Sequence, residues 1–198
     1  REVIGEARRK HKKSAVITFD PHPKMILHPE IRPFLLITTI EEKAGLIGEA
    51  GIDALIIIPF SKEFSGTTAG EFVSGILWDK LRITRIIIGH DYRFGRGKEG
   101  NENFLLEYGR RLGFEVDVVS AFRKDDTVIS STRVRQAILE GQVDRAAGML
   151  GRPYNLVGSV IHGHSRGAGL GFPTANVSPE KVLIPPDGVY AVVFVMDG

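Results

Sequence analysis

Four short segments of the 198-residue chain gather the residue types that handle phosphates, metals and planar rings. In Phe19-Asp20-Pro21-His22-Pro23, two prolines bracket a histidine, hold the loop extended and present Asp20 and His22. Gly89-His90-Asp91-Tyr92-Arg93-Phe94-Gly95-Arg96-Gly97-Lys98-Glu99-Gly100 combines glycines, which let backbone approach a phosphate, with cations and two aromatics suited to a stacked ring. A plain turn accounts for the histidine and the glycines equally well, but not for Tyr92 and Phe94. In Ile129-Ser130-Ser131-Thr132-Arg133-Val134-Arg135-Gln136-Ala137-Ile138, hydroxyls precede the apolar pair Val134 and Ile138, the pattern of a capped helix start. Arg133 and Arg135 stand where such a helix normally carries acids, each costing about 0.3–1 kcal/mol against the helix dipole. An anion docked on the exposed N–H groups offsets that cost, with hydroxyls and a guanidinium completing the cradle; Thr132 and Arg135, three apart, share a face.

The fourth segment, 158–177, is rich in glycine and suits backbone that approaches a phosphate closely. Thr174 and Asn176 are two apart, so in an extended segment they project from one face and suit a metal-phosphate group. His162 and His164 lack a third ligand and are not read as a zinc pair.

The elements that must position these segments follow from apolar periodicity. Runs 15–19, 54–58 and 83–88 are β-branched and continuously apolar, the pattern of strands covered on both faces, and a fourth strand is predicted at 114–119. Helical spacing falls at 40–50, 69–81 and 103–112. Alternating strands and helices predict an α/β fold with a doubly wound, mainly parallel, Rossmann-like sheet, whose ligands sit beyond the carboxyl ends of the strands. Two further helices, 134–141 and 143–150, precede a change of grammar: glycine and proline become dense, and 156–161 and 189–195 read as strands of a small all-β unit. The expected domains are 1–151 and 152–198. The chain is expected to be cut at both ends, because the first helix has no capping residue before it and the last strand runs into the turn pair Asp197-Gly198. Strand 189–195 would then expose an apolar edge prone to aggregation.

Bulk composition narrows the function classes. Cysteine is absent, which removes disulfides, thiolate metal sites and cysteine nucleophiles and permits a reducing cytoplasm. No apolar run approaches the ~20 residues of a membrane span. Net charge is only +2, and the cluster Arg8, Arg9, Lys10, Lys12, Lys13 reads as a solvated helix terminus, not a nucleic-acid footprint.

Taken in order and spacing, the Phe19 to Pro23, Gly89 to Gly95 and Ile129 to Arg135 segments resemble the adenylyltransferase module of the bifunctional riboflavin kinase/FMN adenylyltransferase family. Gly171-Phe172-Pro173-Thr174-Ala175-Asn176 and Gly188-Val189-Tyr190-Ala191 resemble the opening of that family's riboflavin kinase barrel. The resemblance implies ATP-dependent phosphorylation of riboflavin to FMN and adenylylation of FMN to FAD, with Mg²⁺ and without a covalent intermediate. It implies that Asp91, Ser131, Thr132 and Arg135 bind ATP in the first module, with Asp20, His22, Arg93 and Phe94 in a flavin or nucleotide loop. In the second, Gly163, Arg166, Gly171, Thr174 and Asn176 would bind ATP, with Thr174 and Asn176 at the metal. The family's opening Gly-x-Phe-Asp-Gly-x-His-x-Gly-His segment and its kinase glutamate have no counterpart within these residues, so no catalytic residue is assigned and low activity is expected of residues 1–198 alone. Ala168 stands where the family commonly has a cation, a role Arg166 would take. Two other readings of the residues remain: a single-function nucleotidyltransferase with another acceptor, and a nucleotide- or flavin-binding regulator without catalysis.

Overall fold

The computed structural model describes residues 2–124, 127–162 and 174–196. The chain forms two compact units, one of residues 1–34 and 40–128, the other of 35–39 and 129–198. The first opens with helix α1 (Glu2–Arg9), whose acid lies in the first turn and whose arginines lie in the last, as the dipole favours. Strands β1 (Ala15–Asp20) and β2 (Ala54–Pro59) pair in parallel, with helices α2 (Pro23–Leu27) and α3 (Ile40–Glu49) between them in sequence. Asp53 ties the amino ends of the two strands together. Its carboxylate accepts the Ser14 backbone N–H at 2.8 Å and the Ser14 hydroxyl at 2.7 Å, while its own N–H donates to Ser14 Oγ at 3.0 Å.

Helix α4 (Ala69–Glu71) is started by a reciprocal capping box between Thr68 and Glu71 and continues as a π-helical stretch, Phe72–Lys80. Strand β3 (Arg85–Gly89) then pairs in parallel with β4 (Glu115–Val119), and helix α5 (Glu102–Leu112) makes the crossover. Asn101 caps α5 by accepting the Phe104 N–H at 3.0 Å, and Gly113, at φ 90°, ends it. Phe72, Val73 and Leu77 meet Leu105, Ile88, Phe94 and Phe114 in the core. Two-residue strands β5 (Arg123–Lys124) and β6 (Thr127–Val128) close the unit.

The architecture is mixed α/β with parallel pairs, as expected. Among the described residues, however, the two parallel ladders are separate two-stranded sheets and not one doubly wound sheet. Nor are the apolar strands covered on both faces: of β1 to β4 only Ile88 is buried, and Ile57 is 46% exposed. A two-stranded sheet leaves one edge of each strand open, and side chains beside an open edge keep contact with solvent.

In the second unit, helices α6 (Ser131–Leu139) and α7 (Val143–Leu150) pack through Val134, Ala137, Ile138 and Ala146 around Leu183. Residues 35–39 are held to this unit by cations. Arg135 Nε donates to the Leu35 carbonyl at 2.6 Å; Lys181 Nζ donates to the carbonyls of Ile37 at 3.3 Å and Asn155 at 2.7 Å, lying 4.6 Å from the Tyr154 ring centroid. Strands β7 (Gly158–Ile161) and β8 (Asn176–Pro179) form an antiparallel pair. Gly158 is required there, because a Cβ would lie 2.2 Å from the Ser178 carbonyl oxygen. The strand expected at 189–195 is not formed: no ladder among the described residues includes it, and Val189, Val192, Val193 and Val195 are exposed. A β-branched run becomes a strand only when a neighbour supplies the ladder bonds.

Candidate functional site

The candidate residues of the first unit stand at the carboxyl ends of strands, where α/β sheets place their ligand loops. Asp20 ends β1 and is exposed; Asp91 and Arg93 follow β3 and are also exposed. Gly89 makes room for the Asp91 carboxylate, since a Cβ there would sit 3.3 Å from Oδ1. Arg93 Nη1 donates to the Tyr92 carbonyl at 2.8 Å, folding its stem back along the loop. His22 is half-buried. Its Nδ1 accepts the Lys24 N–H at 3.2 Å and so caps α2, and its ring centroid lies 4.7 Å from that of Phe34. With Nδ1 as acceptor, a neutral ring carries its proton on Nε2.

The aromatics of the second loop do not present a stacking surface. Phe94 is 8% exposed, with its centroid 5.7 Å from that of Phe72, and Tyr92 stacks on it at 5.4 Å. Burial accordingly pushes the Tyr92 phenol pKa up. The glycines serve this packing. Gly95 has φ 73° and would place a Cβ 2.7 Å from Ala69 N, and a Cβ at Gly100 would lie 2.6 Å from the Phe94 ring. Phe94 is therefore a core residue, and the hydrophobic gain of burying its ring against Phe72 sets its position within the loop.

In the second unit the helix start lies three residues earlier than periodicity predicts, at Ser131. Ser130 is the cap, its Oγ accepting the Arg133 N–H at 3.3 Å. Ser131 and Thr132 thus fall in the first helical turn, exposed, beside backbone N–H groups that have no acceptor within the helix. Arg133 is exposed, whereas Arg135 is half-buried over the Leu35 carbonyl, and burial lowers its pKa while the guanidinium stays charged. Thr174 and Asn176 are exposed, Asn176 opposite Ile161 in the β7–β8 ladder. Gly163, Arg166 and Gly171 lie outside the described residues. Asp20, His22, Asp91 and Arg93 thus belong to one unit, and Ser131, Thr132, Arg135, Thr174 and Asn176 to the other. Sequence reasoning expected a hydroxyl cap here without singling out Ser130, and it missed Lys181 as an anchor. The cap had a signal, a hydroxyl three residues before Arg133; Lys181, between Glu180 and Val182, had none.

Residues 1–133 match the family model described as FAD synthetase. The chain belongs to the FAD synthetase family. A second family model, described as riboflavin kinase, matches residues 150–198. Curated relatives called bifunctional riboflavin kinase/FMN adenylyltransferase include one from Buchnera aphidicola subsp. Schizaphis graminum, 41% identical over 90% of this chain and 57% of its own length. One from Listeria monocytogenes is 39% identical over 100% of this chain and 62% of its own, and one from Escherichia coli K12 is 35% identical over 94% and 59%. The chain therefore spans about three-fifths of the length of these relatives. A solved structure titled as a macrolide-efflux protein from Streptococcus pneumoniae superposes with a TM-score of 0.83 at 35% identity, covering 94% of this chain and 60% of that one. The FAD synthetase match ends inside α6, so it takes in Ser131 and Thr132 and stops two residues before Arg135. The riboflavin kinase match begins at Leu150, the last residue of α7, so the matched segments and the compact units divide the chain at different places. Among the described residues no helix is long and apolar enough to cross a membrane.

Proposed function

We propose that the full-length protein makes flavin nucleotides in the cytoplasm, phosphorylating riboflavin to FMN and adenylylating FMN to FAD at the expense of two ATP. The observation that carries this reading is the tandem of matches, FAD synthetase over 1–133 and riboflavin kinase over 150–198, in a chain whose relatives carry both names. Residues 1–151 are the adenylyltransferase domain and 152–198 belong to the kinase domain.

In the kinase step the riboflavin 5′-hydroxyl attacks the γ-phosphorus of ATP and ADP leaves. In the adenylyl step the FMN phosphate attacks the α-phosphorus of a second ATP and pyrophosphate leaves. Neither step needs a covalent protein intermediate, so the protein's contribution is to position the phosphates and neutralise their charge. Asp91, with Asp20, His22 and Arg93, serves the nucleotide or flavin in the first domain. Ser131 and Thr132 offer hydroxyls and first-turn N–H groups to ATP phosphates, and Arg135 supports them from beside Leu35. Gly163, Arg166 and Gly171 approach ATP in the kinase. Thr174 and Asn176 are exposed hard-oxygen donors, a set that fits Mg²⁺, which would supply charge neutralisation at the transferred phosphoryl group.

The test separates the two reactions. Purified full-length protein is given riboflavin, ATP and Mg²⁺, or FMN, ATP and Mg²⁺, and FMN and FAD are resolved by chromatography. Thr132→Ala is expected to slow FAD formation from FMN about 10-fold to 100-fold, the loss of one hydrogen bond to a charged group, with FMN formation unchanged; Asn176→Ala is expected to do the reverse. If the wild-type protein forms neither product, the reading fails.

A further inference from the structure

Lys181 falls in the part of the chain that matches riboflavin kinase, yet a segment it holds falls in the part that matches FAD synthetase. It is 4% exposed, and its ammonium donates to the Ile37 carbonyl at 3.3 Å and to the Asn155 carbonyl at 2.7 Å. Residues 35–39 form no helix or strand of their own, so their place is set by what grips them. Leu35 and Ile37 pack against the apolar cluster of the second unit, and Arg135 donates to the Leu35 carbonyl at 2.6 Å. A buried ammonium is a costly way to add stability, since an apolar side chain of similar volume commonly holds a core as tightly. Apolar contact has no preferred direction, whereas hydrogen bonds to two carbonyls fix distances and angles. Lys181 therefore supplies what burial alone does not, a defined position for the 35–39 backbone.

Both ends of that segment lead to the candidate ligand loop after β1. On its amino side stands Phe34, bonded to Leu35, with its ring centroid 4.7 Å from that of His22. On its carboxyl side α3 begins at Ile40, and Lys43, in the first turn, donates to the Thr18 hydroxyl at 3.1 Å, two residues before Asp20. A displacement of 35–39 passes along the covalent chain to Phe34 and to Lys43. Both side chains rest on residues 18–22.

We propose that Lys181 is a positioning residue for adenylyl transfer: from within the kinase-matched sequence it fixes residues 35–39, and through them the loop that carries Asp20 and His22. Its effect on the reaction rests on the reading of that loop as part of the flavin or nucleotide site; its hold on the loop does not. A lysine serving only the sequence in which it lies would, when lost, slow FMN formation. Acting through 35–39, its loss slows FAD formation instead.

The test uses full-length protein carrying Lys181→Met, Lys181→Arg or Phe34→Ala. In Lys181→Met, kcat/KM for FAD formation from FMN is expected to fall about 10-fold, short of the roughly 100-fold that a misplacement of about 1 Å can cost. FMN formation from riboflavin should be unchanged. Lys181→Arg keeps a cation but moves the donor atoms, and a smaller loss is expected in the same reaction. Phe34→Ala releases the loop from its other end. Combined with Lys181→Met it should cost no more than the larger single loss, because two breaks in one linkage do not add. Additive losses, or a loss in FMN formation as large as that in FAD formation in either lysine variant, would overturn the proposal. In the ligand-free protein the His22 Cε1–H resonance, displaced by the Phe34 ring current, is expected to move in Lys181→Met toward its position in Phe34→Ala. An unmoved resonance would also overturn it. That resonance can be read whether or not the protein forms FMN or FAD, so the two readings fail separately.

Discussion

The two units are held together by different forces. The first is organised by burial: Ala69, Val73, Leu77 and Leu105 are at most 1% exposed, aromatic rings run from Phe19 through Phe72 and Phe94 to Phe104, and helix starts are closed by Thr68 and Asn101. The second has a smaller buried cluster, and its inserted segment 35–39 hangs on Arg135 and Lys181 donated to backbone carbonyls. Its residues 189–196 leave valines, Phe194 and Met196 in solvent. A unit held by apolar burial fails when volume is removed, whereas one held by cations on carbonyls fails when a charge is removed.

The sharpest way to break this contrast is Leu105→Ala. Leu105 is fully buried, and a leucine-to-alanine change at such a site costs about 2–5 kcal/mol. Urea denaturation followed by Trp78 fluorescence is expected to show the loss in the first unit, where Trp78 packs at 6.3 Å from Phe114. Amides of α6 and α7 should keep their exchange rates. Equal loosening of both units would mean that they unfold as one cooperative body.

The complementary change is Lys181→Met, which keeps the aliphatic volume and removes the ammonium. Lys181 is 4% exposed, and the Ile37 and Asn155 carbonyls lose a charged donor, at about 1–3 kcal/mol for each group left without a partner. Exchange of the 35–39 amides is expected to accelerate while those of β1 to β4 hold. Unchanged exchange at 35–39 would assign the anchoring to apolar contacts of Leu35 and Ile37 instead.

The same contrast explains what was legible in the sequence. The four parallel strands and the helices at 40–49, 69–80 and 102–112 fall within a few residues of their expected places, because β-branched runs and 3.6-residue spacing are local signals, whereas the short α2 (Pro23–Leu27) was not expected. What escaped depends on partners distant in sequence. Residues 189–195 have the composition of a strand but no ladder, and the separation of β1–β2 from β3–β4 is a property of neighbours, not of either run. Within the candidate site, Asp20, Asp91, Ser131 and Thr132 stand exposed at strand or helix ends, where their loops were expected. The burial of Phe94 was not legible, because an aromatic in a glycine-rich loop reads as a ligand platform while the contact that buries it is with Phe72, 22 positions earlier. Likewise, no local pattern marks Lys181 as the donor to a carbonyl near residue 37.

The smallest expected effect tests the polar clasp that joins the amino ends of β1 and β2. The Ser14 hydroxyl, then the Ser14 N–H, then Lys13 hold the Asp53 carboxylate, lowering its pKa from 3.8 to about 2. A carboxyl whose folded pKa lies below its unfolded value stabilises the fold above the unfolded pKa, and that contribution disappears as pH falls through the folded pKa. The clasp is therefore fully in force above pH about 5 and fades between about pH 4 and 2. Asp53→Asn keeps the shape but not the titration. Its denaturation midpoint is expected to lie below that of the parent at pH 6 and to approach it at pH 2. Glu6 and Glu71, whose pKa values are also lowered, are present in both proteins and cancel from the difference. A midpoint gap that stays constant from pH 6 to pH 2 would show that the clasp acts through its hydrogen-bond geometry and not through the carboxylate charge.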